Sequence, residues 1–296
     1  MATARSASAG IRPFTNGLRS PLIAPITRGL LGIPLIFLTT HTDDFFAWTI
    51  KVPMTAAVLG SNYWTSAALA IAASRKSIWA QGRISVSVAL MFAPITTAAT
   101  FLHLSEFHFT GEPVAVFFGW FWTIAYGFYA PLLIYLLIRQ LRVPGVDPPR
   151  EVRLPKQVRA LWAVEAAILI PLGIVMFVAP GLAAPWWPWP LSDLTSQALS
   201  AWCLAFGVLA AHAVWENDLE RVHVALIAYP VLAVLHTIAL IRFHDDIQWN
   251  EPGAYVYVAF LVSWYVLAVW GFFAQRKRTF GEWVQPAVEK ADDFKA

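Results

Sequence analysis

Cysteine is nearly absent from this sequence: Cys203 is the single one in 296 residues. A lone cysteine excludes an intrachain disulfide and a multi-cysteine zinc site. Its place inside an apolar run marks it as a small core residue. Charge is scarce as well, at 13% of residues, about half of the roughly 25% usual in soluble domains. The 18 acidic residues nearly balance the 21 Lys and Arg, leaving a formal net charge of +3. That small excess implies no nucleic-acid partner. No phosphate-binding loop, dinucleotide fingerprint, nucleophile elbow or CxxCH haem attachment occurs, and no tight HxxxH or HExxH spacing.

What the chain has is apolar surface, 58% hydrophobic and 15% aromatic residues. These gather into runs near the roughly 20 residues needed to cross a bilayer as helix, not into the alternation of a transmembrane barrel. The expected fold class is an all-α polytopic membrane protein with the lipid bilayer as its first partner. Eight spans are predicted, near residues 20–39, 53–74, 84–107, 114–138, 160–182, 196–214, 222–242 and 254–274. Ser61, Asn62, Thr65 and Ser66 dilute the second.

An internal echo divides the chain in two. Aligned without gaps from Trp79 on Trp215, the pairs Val86/Val222, Val88/Val224, Leu90/Leu226, Pro94/Pro230, Phe107/Phe243 and His108/His244 are identical. After a short insertion, Glu112-Pro113 answers Glu251-Pro252, and Ile33-Pro34-Leu35 answers Ile170-Pro171-Leu172. Such repeats decide the architecture before any finer reading. The eight helices are therefore expected as two tandem four-helix repeats, 20–138 and 160–274. Because four is even, both share one orientation, related by an axis along the membrane normal. A flexible tail, 1–19, precedes them, a basic Pro-rich linker, 139–159, joins them, and a tail, 275–296, follows.

Lys and Arg mark the cytoplasmic side. With the N-terminus inside, only Lys51 and Arg242 of the 21 cations fall outside, and Arg28 lies within the first span. Both termini are thus expected in the cytosol, in a bacterial-type plasma membrane. Arg28 and Glu165 hold corresponding places in their repeats; either they pair near the axis, or Arg28 reaches the inner headgroups and Glu165 stays hydrated near the interface. Trp186, Trp187 and Trp189 read as an interfacial anchor.

Two candidate sites follow. The first is a solute pathway of polar residues inside the spans: Asn62 and Ser66; Thr96, Thr100 and His103 on one side of the third span; Tyr229 and His236, seven residues apart on the seventh. Polar faces in membrane helices line cavities or join helices. The second is an outer rim of His108, Glu112, His244, Asp245, Asp246 and Glu251, where imidazole and carboxylate together suit a divalent cation or a proton relay. The function read from these features is a transporter or small-solute channel for a small solute or cation, with an acidic, His-containing vestibule. Two alternatives stay open: a membrane-embedded metal or haem enzyme, with His103 and His236 at one depth as axial ligands, and a structural subunit of a membrane complex. The sequence names no cofactor and no oligomeric state.

Overall fold

A computed structural model describes residues 10–19 and 32–293, with side chains described as far as residue 276. Among the described residues there is no strand, and seven long helices carry the fold: α1 Pro53–Ser74, α2 Trp79–Leu102, α3 Pro113–Leu141, α4 Lys156–Val178, α5 Asp193–Glu216, α6 Leu219–Arg242 and α7 Pro252–Asp293. Most of the first expected span lies outside the described residues; 32–37 are helical. Six helices are long and apolar enough to cross a membrane: α2 to α6 and the Pro252–Arg276 part of α7. The chain is a multi-pass membrane protein.

Local sequence explains where the helices begin. Pro53, Pro113 and Pro252 open α1, α3 and α7, where proline's fixed φ suits the helix and its missing N–H costs nothing. Ser192 and Thr195 close a capping box on α5. Asn217, in the left-handed region at φ 46°, ends α5, and Asp218 caps α6 by accepting from the Arg221 N–H. The turn between α5 and α6 is thus two residues long.

α1 is not among the six apolar helices, yet it is buried almost all round, from Met54 to Ala73, as is α5 from Leu194 to Glu216. A helix buried round its circumference belongs to the core. The hydroxyls of Ser61 and Thr65 donate to Ala57 O and Ser61 O one turn back, at 2.7 and 2.8 Å, so α1 carries its polar residues without unmet donors. Around this pair, α2 packs on α5 and α6 packs on α1, α3 backs α2, α7 backs α6, and α4 lies along α5. Glycines permit the closest approaches: a Cβ on Gly173 would meet Leu204 at 2.7 Å, and one on Gly207 would meet Ile170 at 2.7 Å. α3 turns Phe117, Phe121 and Phe128 outward, a lipid-facing surface.

Two expectations are corrected. Residues 10–19 are not a flexible tail. Phe14 and Leu18 are buried, Phe14 packs edge-on against Trp79 at 5.5 Å, and Arg12 N–H donates to Val146 O while Trp79 N–H donates to Arg12 O, at 2.9 and 3.1 Å. The arginines of that segment suggest solvent, but its two apolar side chains anchor it. It lies against the 139–159 linker at Gly145, where φ is +136° and a Cβ would stand 2.6 Å from Arg12 Cα; only glycine fits.

The second concerns the Trp79-on-Trp215 register: α2 and α6 are each 24 residues long and start at Trp79 and Leu219, so the expected alignment does not bring their starts together. The helices end on His103 (φ −123°, ψ 30°) and Phe243 (φ −126°, ψ 35°), and each is followed by a 3-10 turn, Leu104–Glu106 or His244–Asp246. Leu104 and His244 each open such a turn, whereas the expected partner of His244, His108, lies beyond the first of them.

Candidate functional site: an aromatic cavity above a buried carboxylate

A cavity of about 300 Å³ lies among α1, α4, α5, α6, α7 and the loop Trp186 to Trp189. Aromatic side chains dominate its wall. Trp202 of α5 lies 5.2 Å from Tyr63 and 4.1 Å from Phe92, held by a ring cluster that reaches Trp122. Phe260 and Trp264 of α7 also line it. The loop closes the end of the cavity. Prolines at 180, 185, 188 and 190 keep it from continuing as helix, and Gln248 N–H donates to Pro188 O at 2.8 Å. At Gly253 a Cβ would stand 1.9 Å from Trp186 O, so only glycine lets α7 start beneath the loop. The interfacial-anchor reading is corrected for Trp189. It is fully buried, its Nε1 donates to Thr55 Oγ1 at 2.8 Å, and its edge meets Tyr257 at 5.5 Å. Trp186, 64% exposed, is instead turned outward.

The polar part of the wall is one hydrogen-bonded chain. His236 is buried, with Nε2 2.9 Å from Asn62 Oδ1 and Nδ1 3.0 Å from the Tyr257 hydroxyl. With Asn62 Oδ1 accepting, the proton sits on Nε2 and Nδ1 accepts from Tyr257. The Trp264 ring meets the imidazole edge-on at 5.0 Å. Three helices, α1, α6 and α7, thus share one imidazole.

A second polar layer lies below, toward the end of the bundle that holds most of the Lys and Arg. Glu165 is 2% exposed; its oxygens accept from the Tyr229 hydroxyl at 2.8 Å and from Ser263 Oγ at 2.6 Å. Trp162 Nε1 donates to Tyr229 at 2.9 Å. Glu165 and Ser263 are four and three residues from the cavity-lining Leu169 and Phe260, about one turn deeper. Tyr229 and His236, seven residues apart on α6, put the two layers about 10 Å apart along one helix face. Arg28, whose pairing with Glu165 the sequence left open, lies outside the described residues.

The basic end is closed by a charge cluster that the sequence did not announce. Glu216 is wholly buried. Arg83 donates to it through Nε and, at 2.9 Å, through Nη2; Arg221 donates at 3.0 Å, and His212 Nε2 lies at 3.2 Å. Arg83 also reaches Asp147 at 2.5 Å, and Arg221 donates to Pro148 O at 2.5 Å. The Arg150 Nε–H donates to Glu216 O at 2.6 Å. Two guanidinium groups and two carboxylates so tie α2, α5, α6 and the linker together, with the charges paired. Expecting the third span to start after Arg83 hid this, because α2 starts at Trp79 and carries Arg83 within it.

The expected solute pathway divides into separate places. Asn62 and His236 meet in the cavity wall, and Tyr229 belongs to the Glu165 layer. Ser66 donates to Tyr63 O within its own helix at 2.8 Å. Thr100 donates to Thr96 O at 2.8 Å and accepts from Trp122 Nε1 at 3.0 Å, while Thr96 Oγ1 is buried without a hydrogen-bond partner among the described residues. His103 caps α2 at the acid-rich end, bonded to Gln197 at 3.0 Å and Glu106 at 2.7 Å. His236 lies six residues before the end of α6, about 9 Å deeper. His103 and His236 do not share a depth, and each imidazole is already held.

The expected rim is likewise spread out. His108 clamps the 46–49 segment, with Nδ1 2.9 Å from Phe46 O and Nε2 3.0 Å from Thr49 Oγ1. Asp246 accepts from Met54 N–H at 2.9 Å, an anion at the N-terminus of α1. His244 and Asp245, 62% and 91% exposed, pair at 3.1 Å. Glu112 and Glu251 each precede the proline that opens a helix. Among the described residues, no three of these side-chain types gather to hold a metal ion. Sequence reasoning missed Tyr257 and Trp202 and took Trp189 for an interfacial anchor; aromatic residues so far apart in sequence carry no sign of a shared site until the fold brings them together. Compared with known proteins, the chain matches no family model, no curated protein and no solved structure.

Proposed function

We propose that this multi-pass membrane protein is a transporter for a small, uncharged, largely apolar molecule that carries one hydrogen-bonding group. The observation that carries this reading is the cavity of about 300 Å³, whose wall holds many aromatic rings, the His236–Asn62–Tyr257 chain and no Asp, Glu, Lys or Arg. That volume is at the small end of ligand pockets, which are apolar with few placed polar groups. A charged solute would meet no counter-charge there and would lose its hydration. Ile168 and Val256 line the cavity and are about 40% exposed, at 40% and 42%, which supports entry between α4 and α7 from the lipid side.

The transporter half of the reading rests on architecture. Two like-oriented four-helix repeats are supported by the exchange in packing, with α2 on α5 as α6 is on α1 and α3 on α2 as α7 is on α6. Similar C-cap torsions on α2 and α6 support it as well. The cavity draws Val58 and Asn62 from the first half and the rest of its wall from the second, so it touches both halves, as sites in repeat-built transporters do. The basic end is placed in the cytosol on the distribution of Lys and Arg.

The cavity's tryptophans make the test direct. Titrating the detergent-purified protein with 2-naphthol should quench tryptophan fluorescence saturably, whereas 2-naphthoate should not. Leu169→Trp, which fills the cavity, should abolish the naphthol response, and His236→Leu should weaken it. Non-saturable quenching, or equal responses to naphthol and naphthoate, would rule out the proposed site. Uptake of naphthol into proteoliposomes then tests transport as distinct from binding.

A further inference from the structure

A second apolar recess, on a different face, has features the cavity lacks. It is a groove of about 810 Å³ between the helical residues 32–37 and α6, with Trp64 of α1 contributing to it. Ile33, Phe37, Val234 and Ile238 supply its apolar walls, and all four are exposed at 41–69%. Arg242 alone among the lining residues is charged, and it lies at the end of α6 on the acid-rich side. The groove follows α6 from Arg242 to Pro230. Twelve residues of helix span about 18 Å, close to the roughly 15 Å hydrocarbon depth of one leaflet.

Arg242 is positioned, but its charge is not spent. One Nη1–H donates to Ile36 O, and the guanidinium lies 4.9 Å from the Phe243 ring. Among the described residues it pairs with no carboxylate. The nearby acids are otherwise engaged or turned to water: Asp246 accepts from Met54 N–H, and Asp245 pairs with His244. A guanidinium has five N–H donors, so most remain free, and their planar fork suits two phosphate oxygens at once.

We infer that this groove binds an anionic phospholipid of the leaflet at the acid-rich end, with its phosphate on Arg242 and one acyl chain laid between residues 32–37 and α6. Apolar length, position at headgroup level and an unpaired fixed cation coincide here. The site is independent of the proposed transport cavity, with which it shares no lining residue.

The test reads bound lipid by native mass spectrometry after release of the full chain from nanodiscs. With equal phosphatidylglycerol and phosphatidylcholine, the wild type should retain phosphatidylglycerol in clear excess, because both offer a phosphate to Arg242 but the choline cation of the other headgroup competes with the guanidinium for it. Arg242→Gln should lose the preference, Arg242→Lys should keep part of it, and Lys51→Gln should leave it unchanged. Val234→Trp fills the groove with Arg242 intact and should also lose the lipid. This variant keeps the test decisive if Arg242→Gln does not fold. Equal retention of the two lipids, a preference that survives in Arg242→Gln or Val234→Trp, or displacement of the lipid by inorganic phosphate at equal concentration would overturn the inference.

Discussion

The two ends of the bundle use their charged side chains in opposite ways. At the basic end, Glu216 has 0% exposure and Arg221 5%, and each carboxylate and guanidinium has a partner from another segment. At the acid-rich end, Asp245 is 91% exposed and the His41–Asp44 pair is 65% and 61% exposed. Exposed pairs of that kind contribute little, whereas a buried pair is strongly destabilising to break because the survivor stays buried and uncompensated. The number of charges in a segment therefore says little about which ones hold the fold. Burial and partner decide.

The largest expected effect breaks this contrast at its strong side. Glu216→Ala removes the fully buried carboxylate and leaves Arg83 and Arg221 facing one another, with the partly exposed Asp147 as their remaining carboxylate. A loss of about 3–5 kcal/mol is expected, read as a lowered unfolding temperature in detergent or as failure to accumulate. Glu216→Leu combined with Arg83→Met removes both charges and should recover part of that loss. A single Glu216→Ala variant as stable as the wild type would show that the cluster is not structural.

A middle-sized effect compares the two hairpins at the acid-rich end. A Cβ at Gly119 would lie 2.3 Å from His108 O, and one at Gly253 would lie 1.9 Å from Trp186 O. Both backbones must yield, so Gly119→Ala and Gly253→Ala should each cost about 1–3 kcal/mol. Only Gly253 lines the cavity beneath the Trp186 to Trp189 loop. Naphthol quenching should therefore change in Gly253→Ala and persist in Gly119→Ala. The reverse pattern would place the ligand elsewhere.

Much of the architecture is legible from the chain because apolar runs must become helices in a bilayer, and the six apolar helices fall where those runs are. α1 was legible as a helix but not as a core element. Its Ser61, Asn62 and Thr65 dilute the apolar signal, while the fold satisfies them internally and through His236. Tyr229 and His236 were legible as one face because their spacing is helical. What each touches was not, since Glu165 is 64 positions from Tyr229 and Asn62 is 174 from His236. Arg83 and Glu216, 133 positions apart, carry no local signal at all. Arg83 reads as a flanking cation until α2 is seen to enclose it.

The smallest expected effect separates two adjacent aspartates at the weak end. Asp246 and Asp245 follow His244 in one 3-10 turn, and in sequence they are interchangeable. Asp246 accepts from the Met54 N–H, one of the first donors of α1, which no residue of that helix can satisfy. A carboxylate there also favours the positive end of the helix. Asp246→Ala should then cost about 1 kcal/mol, the scale of a lost helix cap, and Asp246→Asn should cost less because the amide oxygen still accepts. Asp245→Ala should leave the unfolding temperature unchanged within error at ordinary salt, since its contact with His244 is exposed and screened. Unfolding of the three variants in one detergent at low and high salt checks the argument. If Asp245→Ala is the costlier change, the acid-rich rim contains an interaction stronger than its exposure permits, and the contrast between the two ends fails.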